Sequence, residues 1–245
     1  MPRFFVKPQQ VTQDTIYIEG SDVNHIKNVL RMAVGEEISI SDGEGKDYFG
    51  KIETIDSKQV TVSILNSWDS FVELPGKLYL FQGLPKADKM ELIIQKAVEL
   101  GAYAVIPVVT KRTIVKLDAK KEGKKIARWQ GISESAAKQS GRGIVPEVMT
   151  PMTFKEALAM ASSMEHAIIP YEKAKGMEEA RTLVRGLKDS KSVAIFIGPE
   201  GGFDDSEIEA AISAGVMPMT LGHRILRTET AGLAILSILM FEMDQ

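Results

Sequence analysis

From Lys77 onward the chain repeats one pattern, a short apolar run followed by a stretch with helical spacing. "KLYLFQGL" precedes "DKMELIIQKAVELGA", and "AVIPVV" precedes a long polar segment through "KKIARWQGISESAAKQSG". "EHAIIPY" precedes "MEEARTLVRGL", "SVAIFIG" precedes "DDSEIEAAISAG", and "MPMTLG" precedes a last, strongly apolar helix. Apolar strands joined by helices imply a parallel sheet covered on both faces. The expected class is therefore α/β. Sheets of this kind bind ligands beyond the carboxyl ends of their strands.

The first seventy residues read differently. "RFFV", "TIYIE", "EEISISD", "DYFGKIETID" and "QVTVSILN" are short strands, and "VTVSIL" alternates as a half-buried antiparallel strand does. Gly43 and Gly45 mark a hairpin bend. One helix is expected in "SDVNHIKNVLRM", capped by Ser21 or Asp22, with Val23, Ile26, Val29 and Leu30 as its apolar stripe. Closing such strands into a small β-barrel removes exposed edges. "SWDSFVELPG" then reads as a linker, giving expected domains at residues 1–72 and 73–245.

Composition narrows the function. With no cysteine there can be no disulfide, zinc–thiolate site, iron–sulfur cluster or cysteine nucleophile. Three scattered histidines make a histidine-built metal site improbable, and no metal is expected. The formal net charge of -3 argues against wholesale binding of polyanions, though a local basic face is still possible. "MPRFFVKPQQ" lacks a signal-peptide core, and the most apolar run, residues 231–241, is far shorter than the ~20 residues of a membrane helix. A cytoplasmic protein without membrane contact is expected.

Two bends stand out. In "GPEGGFDDSEI", Asp204 and Glu207 have the spacing of a capping box, with Phe203 and Ile208 at staple positions. Gly198, Gly201 and Gly202 precede this anchor, and glycines let backbone approach a ligand closely. No dinucleotide fingerprint and no phosphate-binding P-loop motif occurs. The second bend, "LGHRILRTETA", places Arg224, Arg227 and Glu229 before the helix "AGLAILSILMF", with Thr228 or Thr230 as expected cap. A helix apolar on every side needs a partner on its outer face. A second copy of the chain would supply it.

"IGPEGGF" followed by "LGHRILRTETA" resembles the RsmE family of SPOUT methyltransferases, which methylate N3 of a uridine in 16S ribosomal RNA. "RFFV", "HIKNVLRM", "KADKMELIIQKAVELG", "RWQGISESAAKQSGR" and "VPEV" agree with it in order along nearly the whole chain. The resemblance implies a PUA-like β-barrel followed by a SPOUT-type parallel sheet with a C-terminal trefoil knot. It implies S-adenosylmethionine as cofactor, held by three loops. On this chain these are Pro170 and Tyr171; Ile197, Gly198, Pro199, Glu200, Gly201 and Gly202; and Leu221, Gly222, Ile225, Leu226, Arg227, Thr228 and Thr230. His223 stands at a variable position and is given no role. A homodimer through the last helix is also implied, with Arg142 as a residue the partner copy can lend.

Deprotonating uracil N3 spreads negative charge onto the flanking carbonyl oxygens, which a guanidinium stabilises. Arg227 is the expected cation and Glu229 the expected base, with Glu200 as runner-up. Arg3 matches a family arginine that can reach RNA phosphate or the target base. Candidate RNA contacts are Arg3, His25, Arg31, Lys86, Lys89, Arg112 and Arg142. Between Lys111 and Arg128 eight basic residues face two acidic ones, a plausible phosphate footprint or a solvated helix face. The first 72 residues hold seven basic and eleven acidic residues, which is awkward for RNA unless Arg3, Lys7, Lys27 and Arg31 gather. The expected partner is 16S rRNA in the small ribosomal subunit. A non-catalytic RNA-binding assembly factor and a tRNA methyltransferase stay open beside it.

Overall fold

The computed structural model describes residues 1–115, 119–174 and 176–244, and leaves aside the side chains of residues 119–121. Of the basic run, Lys116 and Asp118 lie outside the described residues, as do the side chains of Lys120 and Lys121. The chain divides into two compact units. One is Met1–Glu73 with Ala137–Val145, the other Leu74–Ala136 with Pro146–Gln245. The segment Ala137–Val145 thus packs with the first unit, which a boundary at a single chain position does not describe.

In the first unit, the described residues form strands β1 (Arg3–Phe5), β2 (Thr15–Glu19), β3 (Glu37–Ser41), β4 (Lys46–Ile55) and β5 (Gln59–Asp69). They pair in the order β1-β3-β4-β5-β2. Gly43 and Gly45, at φ 74° and 104°, make the bend between β3 and β4, a conformation that L side chains rarely adopt. Alternate residues of all five strands, among them Phe4, Ile18, Ile40, Ile52 and Val62, enter one core. β5 runs on through Trp68, paired with Asp47, so the expected linker begins later than its sequence indicated.

The expected helix is shorter and differently wound. α1 (Ser21–Asn24) starts after Gly20, at φ 74°, and not from a Ser21 or Asp22 cap. His25–Val29 then follow as a π-turn, in which the Leu30 N–H donates to the His25 carbonyl at 2.8 Å. The wider turn rotates the following residues off the core side. Val23 and Ile26 are buried, whereas Val29 and Leu30 are exposed.

Glu73 anchors the returning segment of this unit. Arg142 donates from Nε to Glu73 at 3.2 Å and from Nη2 to its second oxygen, and the Gly143 N–H donates to Glu73 at 2.9 Å. Arg142 is only 5% exposed. A buried pair that loses one partner leaves an uncompensated charge. Arg142→Ala is therefore expected to destabilise the first unit by about 3 kcal/mol, measured by urea unfolding of variant and parent.

The second unit holds β6 (Lys77–Gly83), α2 (Lys89–Glu99), β7 (Ala102–Val109), most of α3 (Ala119–Ser140), β8 (Glu147–Val148), β9 (Met152–Thr153) and α4 (Phe154–Ala161). There follow β10 (His166–Pro170), α5 (Met177–Gly186), β11 (Ser192–Ile197), α6 (Asp205–Ser213), β12 (Met217–Met219) and α7 (Thr228–Met243). The strands are parallel throughout, in the order β12-β10-β11-β6-β7-β8, with β9 beside β7. The expected parallel sheet is present, with both faces covered. Phe81, Ile106 and Phe196 pack with Phe154 of α4 and with Ile208 and Ala211 of α6. On the other face α7 lies against β6 and β11 and beside α2 and α5. β11 follows β6 in register, with Gln82 opposite Ile197. That register sets the two strand ends side by side, and the loops leaving them build the site.

Candidate functional site

A cavity of about 370 Å3 opens beyond the carboxyl ends of β10, β11 and β12. This volume is within the usual ~300–1,000 Å3 of small-molecule sites. Three loops line it. The first supplies Pro170, Tyr171 and Glu172; the second Ile197, Gly198, Pro199, Glu200, Gly202 and Phe203; the third runs from Thr220 to Thr228. Lys89 and Ala231 complete the lining. Most of the cofactor-loop residues read from the sequence therefore meet at one cavity. Gly201, Glu229 and Thr230 do not line it: the Gly201 carbonyl is turned to Arg112, and Thr230 is exposed on the first turn of α7.

The glycine loop owes its path to sterics. Gly202 has φ 66°, with open space where a Cβ would stand. A Cβ on Gly198 would come within 3.0 Å of the Gly202 backbone. Gly83, at the end of an apolar strand, carries no such signal in the sequence. A Cβ there would lie 2.6 Å from both N and Cδ of Pro199. The loop therefore rests directly on the end of β6.

The loop is anchored beyond its last residue as the sequence indicated. Asp204 and Glu207 form the capping box of α6, while Phe203 and Ile208 share one core. Glu207 is buried and does more than cap. It also accepts the Lys111 N–H at 2.8 Å, while Arg112 Nη1 donates to the Gly201 carbonyl at 2.9 Å. Arg112, read as an RNA contact, thus braces the glycine loop from outside. The Ser206 hydroxyl first, then its N–H, holds the Asp204 carboxyl below the usual range.

Thr228 joins two of the loops. Its hydroxyl donates to the Gly198 carbonyl at 2.6 Å and accepts from Gln82 Nε2 at 2.8 Å. Thr228 is consequently the first residue of α7 and not its cap. Arg227 occupies the cap position, without a side-chain cap bond. Gln82 is fully buried at the end of β6, and its Nε2 also donates to the Gly83 carbonyl at 2.9 Å. An apolar run gives little reason to single out its glutamine, although a polar residue on a core face is itself a signal.

The first loop is pinned elsewhere. Tyr171 Oη and Lys173 Nζ both donate to Asp205 Oδ1, at 3.0 and 2.7 Å. Lys173 first, then Tyr171, lowers the Asp205 carboxyl, and Asp205 in turn raises the Lys173 ammonium.

Charge gathers at the edge of the cavity. Lys89 Nζ lies 3.1 Å from Glu200 Oε1 and 3.3 Å from Glu229 Oε2. The Lys86 N–H donates to both Glu200 oxygens, at 3.1 and 3.3 Å. Burial pushes the Glu200 carboxyl up, but its own backbone N–H, Lys89 and the Lys86 N–H outweigh this and hold it below the usual range. The Glu200 carboxylate, ahead of Glu229, raises the Lys89 ammonium. Arg224, Ile225 and Arg227 line the cavity from exposed positions. Arg3 belongs to the first unit, where Nη2 pairs with Asp47 Oδ1 at 2.5 Å. His25 and Arg31 are exposed there, Arg31 at φ 54°. Arg142 is held inside that unit by Glu73 and has no free guanidinium to offer RNA or a partner copy.

A parallel sheet with a loop-built cavity beyond its strand ends defines an α/β protein of the ligand-binding, open-sheet class. Residues 72–240 match the RNA methyltransferase domain family, and residues 18–65 match the RNA methyltransferase PUA domain. A ribosomal RNA small subunit methyltransferase E of Bacillus subtilis is 37% identical over all of this chain and 98% of its own length. That of Mesomycoplasma hyopneumoniae is 32% identical over 97% of this chain and 98% of its own. A crystal structure of the Neisseria gonorrhoeae enzyme of this name, bound to S-adenosylmethionine, superposes with a TM-score of 0.84 at 35% identity, over 97% of this chain and 95% of that one. The chain belongs to the ribosomal RNA small subunit methyltransferase E family.

Gly83→Ala is expected to push the glycine loop off its seat at about 1–3 kcal/mol, seen as a lowered thermal midpoint and displaced 198–203 density in the variant's crystal structure.

Proposed function

We propose that this protein transfers a methyl group from S-adenosylmethionine to N3 of a uridine in 16S rRNA, acting in the cytoplasm on the small ribosomal subunit. The observation that carries this reading is the cavity itself, which gathers the glycine loop and the "LGHRILRTET" loop beyond the ends of β11 and β12. Its lining suits the cofactor. Leu221, Ile225 and Leu226 offer apolar surface for an adenine. Gly198 and Gly202 line the cavity without side chains, so backbone there can approach a ligand closely. Glu172 lines the same space from an exposed position and can meet the ammonium of such a ligand.

S-adenosylmethionine, when bound, supplies an electrophilic methyl group. The protein must orient the uracil and manage its N3 proton. Arg227 lines the cavity from an exposed position, where its guanidinium can meet negative charge on the flanking carbonyl oxygens. Glu229, on the first turn of α7, is the proposed proton acceptor, and Glu200 the alternative. Residues 1–72 serve as the RNA-binding part in this reading and residues 73–245 as the transferase. The C-terminal trefoil knot belongs to the same proposal, supported by the adjacency of the 198–203 and 220–228 loops.

The deciding experiment offers purified small subunits, naked 16S rRNA and tRNA to the protein with labelled S-adenosylmethionine, and identifies the product nucleoside by mass spectrometry. 3-Methyluridine in the small subunit is expected; label in tRNA alone, or none, overturns the proposal. Glu229→Gln and Arg227→Ala are expected to lower the single-turnover rate by roughly 10²-fold or more while cofactor affinity falls by less than about tenfold. Calorimetry beside rapid-quench kinetics separates the two effects.

The homodimer belongs to the same reading. α7 buries Gly232, Ile235, Leu236, Leu239 and Met243, but Ile238 is 43% and Phe241 80% exposed, with Leu92 of the neighbouring α2 also exposed. A second copy would cover this apolar surface. Light scattering is expected to find a dimer for the parent and a monomer for Ile238→Asp.

A further inference from the structure

Lys89 was singled out in the sequence only as a candidate contact to RNA. In the structure it occupies the first residue of α2 and lines the cavity with its side chain mostly covered. Its ammonium faces two carboxylates that belong to different walls: Glu200 on the loop after β11, and Glu229 on the first turn of α7. Glu229 Oε2 is buried and makes no hydrogen bond of good geometry among the described residues, so the ammonium at 3.3 Å is what faces it. Two carboxylates directed at one place repel each other unless a cation lies between them. The segment before α2 is also held in an uncommon conformation, with Ala87 at φ 54° and the Lys86 N–H on Glu200. Non-glycine residues persist at positive φ only where surroundings over-determine them.

We infer that Lys89 is a positioning residue for methyl transfer, whose ammonium ties the glycine loop to the start of α7 through Glu200 and Glu229. The inference rests on the proposed methyltransferase reading for its consequence, but not for its geometry. The Thr228 hydroxyl joins the same two elements through an uncharged contact at Gly198, so the walls are linked twice. Lys89 provides the link that depends on charge. An arginine can replace it in part, and a methionine of similar length cannot.

Lys89→Met and Lys89→Arg test this, with far-UV circular dichroism showing that α2 persists. Hydrogen–deuterium exchange without cofactor is the first readout. Lys89→Met is expected to speed exchange in peptides covering 198–203 and 221–231, and Lys89→Arg to restore protection. Calorimetry with S-adenosylmethionine is the second, with affinity falling roughly tenfold in Lys89→Met and recovering to within about threefold in Lys89→Arg. In the Glu200→Gln, Glu229→Gln background the same change to methionine is expected to have less than half that effect, since no pair of carboxylates is left for the ammonium to join. Unchanged exchange and affinity with weaker binding of small subunits would return Lys89 to RNA contact and overturn the inference. A parent that shows the exchange difference but methylates no RNA would instead overturn the proposed function and leave the link standing.

Discussion

The site depends on one buried hydroxyl. Thr228 holds the carbonyl of Gly198 and is itself held by the amide of Gln82, so three segments far apart in sequence meet at one oxygen. This is possible because β11 lies beside β6 with Ile197 opposite Gln82. The side chain of Gln82 then emerges level with the start of the glycine loop. Backbone carbonyls withdrawn from water need partners. A parallel sheet leaves those at its strand ends for the loops to satisfy, and here a side chain from α7 satisfies one of them.

Around that contact the loops are braced from their outer sides. Glu207 binds its own helix start and the Lys111 N–H together, Arg112 holds the Gly201 carbonyl, and Asp205 collects Tyr171 and Lys173. Apart from Tyr171 the bracing groups do not line the cavity, and Arg224, Ile225 and Arg227 stay exposed along the third loop. A pocket fixed on its outer sides and open at a basic, apolar lip suits a small ligand inside and a nucleic acid outside. Preorganised groups of this kind stabilise developing charge without reorganising during reaction.

Where a feature depended on neighbours along the chain, the sequence was sufficient. The capping box of Asp204 and Glu207 and the staple of Phe203 and Ile208 lie within five residues of one another. Their spacing alone brings them together. The Gly43 and Gly45 bend is equally local. The helix after Gly20 shows the limit of such reasoning. Its apolar stripe holds through Val23 and Ile26 and then fails, because a π-turn at His25–Val29 changes the number of residues per turn. Arg142 shows another: a basic residue between glycines reads as a surface contact until Glu73, 69 residues away, is found against it.

The sequence by itself determined the alternation of strands and helices, the two bends at the strand ends, and the family to which they belong. Each of these rests on short-range periodicity or on a contiguous motif. Only the tertiary structure decided what holds the bends together. Gln82 and Thr228 are 146 positions apart, and Lys89 reaches Glu200 and Glu229 across comparable distances. Such pairings follow from which strands become neighbours in the sheet and in what register. They leave no mark in the spacing of residues along the chain, because the chain between two parallel strands must first travel away through a helix before it returns.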